Sequence, residues 1–316
     1  MSKWINKDLF NKFQEGKKKE IDTQPKGLRR SDLVWKTPEK GTPERAKVYE
    51  GRFLTDKNGT FYKKFYYHMF QSGESWVFVL CNKTFNFENF CPFCTSTSKL
   101  YTGSAADKKM AANYKRKEKF VGNFYIVDDP RDADTDEDYK VSKKVRLYEF
   151  PGKVEMKLKE EITDTKNGLG PYIFDPGEEG YNFILKVLST KRDKNNKIWP
   201  DYSSSTFSRR SSSLGSDDEI NKIMESIIDI DEYLNDMKKT DDEILEIIKS
   251  EMLWDLVKDD YEKYNRMRGV TGTDAPTTTP DEDTRDNDTG DDSPFVDDTG
   301  DEDLSDAALL KELEDL

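Results

Sequence analysis

Histidine and cysteine are nearly absent from this chain of 316 residues, which contains one histidine and three cysteines. An odd number of cysteines does not suggest a disulfide framework, and we expect a protein of a reducing cytosol. Long apolar runs are also absent, since no stretch approaches the roughly 18 residues that a membrane-spanning helix requires. We also find no charged segment followed by an apolar one, which is the pattern typical of a signal peptide. We therefore expect no membrane as a partner.

Charges of the two signs are segregated along the chain, whose formal net charge is −13. Residues 273–316 hold 17 acidic and 2 basic residues, a net charge of −15, and residues 217–268 hold 17 acidic and 8 basic residues, a net charge of −9. Residues 1–216 hold 30 acidic and 41 basic residues, a net charge of +11. A basic body joined to an acidic end suggests a domain that binds polyanions and carries its own polyanion mimic.

Hydrophobic periodicity and composition divide the chain into five regions. Apolar residues at every fourth position among lysines predict a short amphipathic helix at the start. Proline-rich, polar sequence follows, and the last region is too rich in Asp, Thr, Gly and Pro to form a core. The regions are a basic N-terminal arm (1–20), a linker (21–45), a core domain (46–216), a helical segment (217–268) and a disordered acidic tail (269–316).

The core domain has the pattern of a mainly β structure, which begins at Val48. Asn58-Gly59 is a strong tight-turn pair between two strand candidates. Further runs rich in aromatic and β-branched residues predict strands over 61–70, 76–81, 122–127, 141–150 and 181–188. After residue 216, isoleucines and leucines at helical spacing predict two amphipathic helices, the second beginning at an N-cap at Thr240 or Asp241.

The histidine and the cysteines form one cluster with the spacing His68-x12-Cys81-x9-Cys91-x2-Cys94. Thiolate and imidazole suit Zn²⁺, which takes four ligands in a tetrahedron. The two-residue gap lets Cys91 and Cys94 reach one metal from one turn, and a hairpin between neighbouring strands can bring the other two ligands to it. Because four protein ligands leave no open position, the cluster predicts one structural Zn²⁺.

Three other interpretations of the cluster fit the residues less well. The thiols could be buried as small hydrophobes, yet all four residues fall within 27 positions. A redox pair at Cys91 and Cys94 would leave Cys81 and His68 unused. A zinc deaminase has a glutamate two residues after its histidine, where this chain has Phe70.

Segments that mix cations with aromatic residues are candidates for nucleic-acid binding. Binding to single strands without sequence choice needs cations for the phosphates and flat rings for the bases. Residues 108–120 supply Tyr114, Lys115, Arg116, Lys117, Lys119 and Phe120. Residues 191–207 supply Lys191, Arg192, Trp199 and Tyr202, and the pair Arg146 and Tyr148 mixes the two types in the same way.

Each such segment taken alone has a simpler explanation. A basic run is more often a solvated face, and an aromatic residue in a strand is more often part of the core. Three of these segments on a basic body beside a zinc cluster favour nucleic-acid binding. The residues themselves do not distinguish DNA from RNA.

Several of these features together resemble one family, the zinc-containing single-stranded DNA-binding (helix-destabilising) proteins of T4-type phages. The metal spacing agrees with that of the family, including the proline after Cys91. The other matching stretches are Arg52-Phe53-Leu54, Lys115-Arg116-Lys117, Asp129-Pro130, Leu147-Tyr148-Glu149-Phe150 and Asn182-Phe183-Ile184-Leu185-Lys186-Val187. One departure is Glu88, which stands where the family has a tyrosine, although Phe87 is adjacent.

The resemblance implies an OB-fold core with an inserted zinc-binding subdomain and single-stranded DNA in a cleft between them. It places DNA contacts, by position, on Tyr101, Arg116, Phe120, Tyr148, Trp199 and Tyr202. It also implies that the arm (1–20) contacts a neighbouring copy in cooperative head-to-tail coating, and that the tail (269–316) recruits phage replication and recombination proteins. The expected location is the cytoplasm of the infected bacterial host.

The sequence thus predicts a stoichiometric single-stranded DNA-binding protein for replication, recombination and repair, and not an enzyme. An alternative is a zinc-bearing adaptor or transcription factor that binds duplex, which would lack stacking aromatics. A more remote alternative is a zinc-dependent nucleic-acid enzyme, which would need an open metal position. The cluster offers none, because the chain has no further histidine or cysteine.

Overall fold

A computed structural model describes residues 33–36, 38–191 and 198–267. The predicted arm (1–20) and tail (269–316) lie outside the described residues, as does Arg192. The described strands are antiparallel to one another and form one large sheet. They are β1 (Lys47–Leu54), β2 (Lys63–Ser72), β3 (Ser75–Leu80), β4 (Lys117–Asp128), β5 (Val145–Phe150), β6 (Phe183–Lys191), β7 (Ile198–Asp201) and β8 (Thr206–Phe207).

The long strand β4 organises the sheet, whose strand order is β3-β2-β4-β1-β6-β7. Its 12 residues pair with β2 through the first part of the strand and with β1 through the last part, while β5 pairs along its other edge. Strands β1, β4, β5, β6 and β8 form the five-stranded set of an OB-fold, into which β2 and β3 are inserted between β1 and β4. This confirms the predicted mainly β core with an inserted subdomain.

The turn between β1 and β2 follows the predicted Asn58-Gly59 pair. Gly59 has a φ of 76°, in the left-handed region that glycine adopts without steric cost. The Asp56 carboxylate accepts hydrogen bonds from the backbone N–H groups of Asn58 at 2.8 Å and Thr60 at 2.7 Å. A side-chain acceptor therefore fixes the turn.

A buried guanidinium joins two of the stretches that carry the family resemblance. Arg52 on β1 is fully buried, and its Nε and Nη2 donate to Oδ1 of Asn182 at 3.0 and 2.6 Å. Its Nη1 donates to the carbonyl of Asp175 at 2.8 Å. Burial lowers the pKa of Arg52 to about 10, so the group is still a cation at neutral pH. Such a network specifies the position of β6 relative to β1.

Trp35 corrects part of the predicted linker (21–45), because its side chain is buried in the OB core. The indole stacks on Phe124 and donates from Nε1 to Asp129 at 2.9 Å. Asp129 is also paired with Arg131, whose guanidinium lies over the Trp35 ring. Neighbouring Val34 forms a parallel bridge with Leu147. Residues 34 and 35 are therefore part of the folded domain.

Within the described residues, four helices follow residue 216, where the sequence predicted two. The break after the first has a local cause, since the Asp229 side chain accepts from the N–H groups of Asp231 and Glu232 and starts a new helix. Thr240 is the N-cap of the third helix, and Met252, with a φ of 55°, lies in the break between the third and fourth helices. The helices of the described residues are α1 (Pro92–Tyr101), α2 (Ala105–Asn113), α3 (Gly152–Thr163), α4 (Asp217–Glu225), α5 (Ile230–Asp236), α6 (Asp241–Ser250) and α7 (Trp254–Met267).

These C-terminal helices pack onto the β domain at three places. Helix α4 covers Leu54 and Tyr125, and helix α5 covers the side of the sheet formed by Phe65, Val121 and Leu147. Helices α6 and α7 pack against the inserted subdomain. Within the described residues, none of the helices is both long and apolar enough to cross a membrane.

Candidate metal centre and nucleic-acid interface

The four predicted metal ligands lie together. His68 is on β2, Cys81 follows the last residue of β3, Cys91 is the N-cap of α1 and Cys94 lies in the first turn of that helix. One ligand atom from each residue lies within 4.8 Å of all the others. Pro92 at the first helical position starts α1 where the two thiols need to meet. The cluster can therefore hold a metal ion.

Three of the distances between the ligand atoms fit a zinc tetrahedron. Zn–S bonds of about 2.3 Å and Zn–N bonds of about 2.0–2.1 Å place two sulfurs about 3.8 Å apart, and a sulfur and a nitrogen about 3.6 Å apart. Cys81 Sγ and Cys94 Sγ are separated by 3.7 Å. The Nε2 atom of His68 lies 3.4 Å from Cys91 Sγ and 3.6 Å from Cys94 Sγ.

A hydrogen bond on the far side of the imidazole orients His68. Its Nδ1 lies 2.8 Å from the carbonyl of Tyr114 and donates to it, which leaves Nε2 free to face the thiols. The Tyr114 hydroxyl donates to Glu251 at 2.7 Å, and burial together with this carboxylate raises the pKa of the phenol. The metal site is thus linked to the segment that leads into β4 and to the end of α6.

Burial also affects the thiols. It raises the pKa of Cys91 well above its ordinary value, whereas hydrogen bonds from Cys81 and Cys91 lower the pKa of Cys94. Three crowded thiols can ionise together only beside a cation. A bound dication would supply that charge, which agrees with the donor set and with the ligand distances.

Cations and aromatic rings form one surface beside the cluster, which we call the aromatic–basic face: Lys64, Tyr66, Lys83, Phe87 and Arg116. The Arg116 guanidinium lies 4.5 Å from the centroid of the Tyr66 ring and 5.1 Å from that of Phe87. Lys83 Nζ lies 4.7 Å from the Phe87 ring. The Phe87 side chain is 55% exposed. The face presents both phosphate-binding cations and a ring on which a base can stack.

Strand alternation separates the members of the predicted basic run. Lys64 lies opposite Phe120 in the β2–β4 pair, and its ammonium is 5.5 Å from the Phe120 ring, so both belong to the side of the aromatic–basic face. Lys119 points to the other side, where it pairs with Glu149 at 3.4 Å near helix α5. Lys117 shares that side with Lys119. Arg116 lies over the rings of the aromatic–basic face, whereas Lys119 lies 5.7 Å from the Tyr67 ring on the other side of the sheet.

Four of the aromatic residues predicted to contact DNA are buried in this structure. Tyr114 packs between Phe70 and Phe93 in the inserted subdomain, and Tyr148 is 2% exposed in the OB core. Neither ring offers a face to a base in this structure. Phe120 and Tyr202 are also buried, at 5% and 8% exposure. Contact of these four rings with DNA therefore stays a prediction.

The remaining predicted contacts are spread over the surface. Tyr101 is 44% exposed at the end of α1, and Lys115 is exposed beside Arg116. Trp199 is half-buried on β7, opposite Thr190 of β6. Arg146 lies on β5, and Lys191 is the last residue of β6. None of these residues belongs to the five that define the aromatic–basic face, although Lys115 adjoins Arg116 in the chain.

Four members of the aromatic–basic face were missed in the sequence: Lys64, Tyr66, Lys83 and Phe87. A period-two pattern in the aromatic run of β2 was the available signal, since Lys64 and Tyr66 alternate with the buried Phe65 and Tyr67. Glu88 occupies the position where the resembled family has an aromatic residue, and Phe87 is its neighbour in the chain. Lys83 had no signal, because it is adjacent to the face only after folding.

An OB-type barrel carrying a metal-binding insert and an aromatic–basic face defines a class of nucleic-acid-binding proteins. The profile of the family described as gp32 DNA binding protein like matches residues 51–252, which is more than half of the chain. The chain belongs to this family of DNA-binding proteins. The match confirms the resemblance to the T4-type single-stranded DNA-binding proteins, and it supports single-stranded DNA as a ligand. A search of curated proteins gave no match.

Proposed function

We propose that this protein coats single-stranded DNA cooperatively and without sequence choice during phage replication, recombination and repair. The observation that carries the proposal is the aromatic–basic face, where Arg116 and Lys83 lie against the partly exposed Phe87 ring. A stacked base contributes roughly 1–3 kcal/mol whatever its identity, and neighbouring cations pair with the backbone phosphates. This combination favours single strands, whose bases are free to stack.

One structural Zn²⁺ is part of the proposal, held by His68, Cys81, Cys91 and Cys94. A bound zinc ion would supply the positive charge that keeps the three thiolates together. The Nδ1 hydrogen bond of His68 then holds the carbonyl of Tyr114, two residues before Arg116. The metal would thereby position the guanidinium over the Tyr66 ring without touching DNA.

The ends of the chain have separate proposed roles. The arm (1–20) would contact a neighbouring copy in head-to-tail coating, and the acidic tail (269–316) would recruit replication and recombination proteins. Binding should weaken steeply with salt, because each neutralised phosphate releases counterions. The proposed place of action is the cytoplasm of the infected bacterial host.

The experiment that tests DNA binding compares two exposed aromatic residues. Phe87→Ala should weaken binding of a labelled oligo(dT) about 5- to 150-fold, the equivalent of one lost stacked base. Tyr139→Ala removes a ring that is 76% exposed and lies outside the face, so its affinity should stay unchanged. Fluorescence anisotropy at one fixed salt concentration measures both. Equal affinity of Phe87→Ala and the unmodified chain would refute the assigned face.

A duplex competitor separates the proposal from its alternatives. A zinc-bearing adaptor or transcription factor would bind a labelled duplex at least as tightly as oligo(dT), whereas the coating protein should prefer oligo(dT) strongly. We further propose that the protein is not an enzyme, since the matched family is one of DNA-binding proteins. Incubation of labelled single strands with the zinc-loaded chain should leave them uncleaved and undeaminated.

A further inference from the structure

The inserted subdomain presents a second group of rings on the side of the sheet opposite the aromatic–basic face. Side chains alternate along β2, so Met69 points away from the side on which Tyr66 lies. Residues directly opposite each other in antiparallel strands share a side. Phe78 of β3 lies opposite Met69, and Trp76 is two residues from Phe78, so both rings lie on this second side. We call the following group the reverse face: Met69, Trp76, Phe78, Lys117 and Lys238.

Trp76 is the exposed ring of the reverse face. It is 63% exposed and is the second residue of β3, which lies at the edge of the described sheet. Edge strands are usually protected by charged residues or proline, yet β3 reads Ser-Trp-Val-Phe-Val-Leu and contains neither. A large ring left exposed on an apolar edge strand indicates a binding surface.

The residues next to Trp76 form a rigid support for it. The Phe78 ring stacks on Tyr67, with the two centroids 5.3 Å apart and the ring planes 20° apart. Both Phe78 and Met69 pack against the apolar cluster beneath α5, which contains Tyr67. Trp76 therefore extends an ordered aromatic row into solvent, so little conformational entropy is lost when a flat group stacks on it.

Two cations flank these rings. Lys117 lies opposite Tyr67 in the β2–β4 pair and thus shares its side of the sheet. The ammonium of Lys238 lies 5.5 Å from the ring of Phe85, which packs against the same apolar cluster as Phe78. Neither lysine forms an ion pair with any residue in the described part of the chain. The reverse face therefore combines an exposed ring with two cations that are available to an anionic ligand.

We propose that the reverse face binds a second single strand of DNA, with Trp76 as the stacking ring and Lys117 and Lys238 as phosphate contacts. Cations beside a stacking ring favour a nucleic acid over an apolar protein surface, which would leave both ammonium groups without a counter-charge. Glu74 in the hairpin turn repels phosphates at the tip, so the strand should run from Trp76 toward Lys117. These two residues are about 13 Å apart along the strand direction, a distance that a short oligonucleotide spans.

The two faces are separate, although they meet in one segment of the chain. Arg116 lies over the rings of the aromatic–basic face, and the next residue, Lys117, belongs to the reverse face. One chain would thereby hold two strands at once, one on each side of the same sheet. The inference extends the proposed function and rests on it, because the ligand is again a single strand.

Native mass spectrometry of the full chain counts the bound strands directly. The probe is oligo(dT) of about six nucleotides, near the lower end of the roughly 4–16 nucleotides that one OB-fold covers. At saturation the unmodified chain should carry two oligonucleotides. Trp76→Ala should weaken the second binding step about 5- to 150-fold, the equivalent of one lost stacked base, and leave the first step unchanged. Tyr139→Ala removes an exposed ring outside both faces and should change neither step.

Charge variants test the path of the second strand, and a variant of the aromatic–basic face separates the two proposals. Lys117→Ala/Lys238→Ala should weaken the second step, whereas Glu74→Lys replaces an exposed carboxylate by a cation and should strengthen it. Phe87→Ala should weaken the first step and leave the second unchanged. If Phe87→Ala changed neither step while Trp76→Ala removed one, the aromatic–basic face would be refuted and the reverse face would stand.

Three results would overturn the reverse face as a DNA site. The first is a single oligonucleotide per unmodified chain at saturation, with that one step weakened by Phe87→Ala. The second is a Trp76→Ala chain that still binds two oligonucleotides with unchanged affinities. The third is a dimer of the DNA-free chain that Trp76→Ala abolishes, because a second copy of the protein would then cover this face.

Discussion

The Asp56 carboxylate lies in a buried turn with one oxygen bonded and the other without a hydrogen-bond partner. Oδ1 accepts two backbone N–H groups, whereas Oδ2 is buried without a partner in the described structure. Burial raises the pKa of Asp56 from 3.8 to about 6, against the lowering effect of those hydrogen bonds. The folded state therefore binds this proton more tightly than the unfolded chain does.

The sign of the resulting pH dependence follows from this raised pKa. Stability contributed by Asp56 is present when the group is protonated and is lost as the pH rises from about 4 through about 6. Asp56→Asn keeps the Oδ1 acceptor and cannot ionise. As the pH rises from 4 to 7, the free energy of unfolding of this variant should increase by roughly 2–3 kcal/mol relative to that of the unmodified chain. Urea denaturation at a series of pH values measures the difference.

Asp164 provides a control of opposite sign. Its exposed carboxylate accepts from the N–H groups of Asn167 and Lys166, and these hydrogen bonds lower its pKa. Asp164→Asn should therefore lose stability relative to the unmodified chain as the pH rises toward about 4, and this change is the reverse in sign of that of Asp56→Asn and lies at lower pH. If the free energy of unfolding varied with pH in the same way for the unmodified chain and for Asp56→Asn, the pKa of Asp56 would not be raised in the folded state.

At the scale of elements, β4 assigns two cations of one basic run to opposite sides of the sheet. Arg116→Ala removes the cation above Tyr66 and should reduce the salt slope of single-strand binding by about 0.7. Lys119→Ala removes a cation that pairs with Glu149 beneath α5, so it should leave the slope unchanged. Anisotropy titrations of oligo(dT) at several salt concentrations measure both slopes. Equal slopes for the two variants would mean that alternation does not select the DNA-facing cations.

In the inserted subdomain, zinc binding and the position of Arg116 should both depend on the four ligands. Cys94→Ser should reduce the zinc content measured by elemental analysis from one ion per chain to a small fraction of one. Single-strand affinity should fall with it, because His68 would no longer fix Tyr114 and Arg116. Ser98→Ala, an exposed change on the same helix, should retain both zinc and affinity. If the zinc-free Cys94→Ser chain bound single strands with unchanged affinity, the metal site would not position Arg116.

The sequence could predict the strands and the metal ligands better than the DNA-facing residues. Local alternation, the Asn58-Gly59 turn and the spacing of His68 and the cysteines are properties of adjacent residues. The burial of Tyr148 and the direction of Lys119 depend on strand register and on where α5 packs. Those are long-range properties, which residue type and spacing do not encode. For the same reason, Trp35 was assigned to a linker.

At the scale of the whole molecule, the metal-binding subdomain is built from two distant parts of the chain. Leu253, between α6 and α7, and Val257, in α7, are fully buried in the same apolar cluster as Phe93, Cys81 and Cys91. The Tyr114 hydroxyl bonds Glu251 in the same region. The C-terminal helices are therefore part of the metal-binding subdomain and not an appendage.

A matched pair of core substitutions tests this composite subdomain. Leu253→Ala and Leu158→Ala both truncate fully buried leucines, the first beside the metal cluster and the second in the OB core, and each should cost about 2–5 kcal/mol. Leu253→Ala alone should speed zinc release to a chromogenic chelator under native conditions. Equal release rates for the two variants would indicate that the helices do not stabilise the metal site.

The two-part construction also sets an order of events during synthesis. About 140 residues separate the end of α2 from Leu253, and translation at about 5–20 residues per second needs roughly 7–28 s to produce them. During that interval strands β4, β5, β6 and β8 are synthesised, while the three thiols still lack the helices that cover their side of the subdomain. A metal ion that binds the cluster could therefore enter before α6 and α7 emerge and cover it.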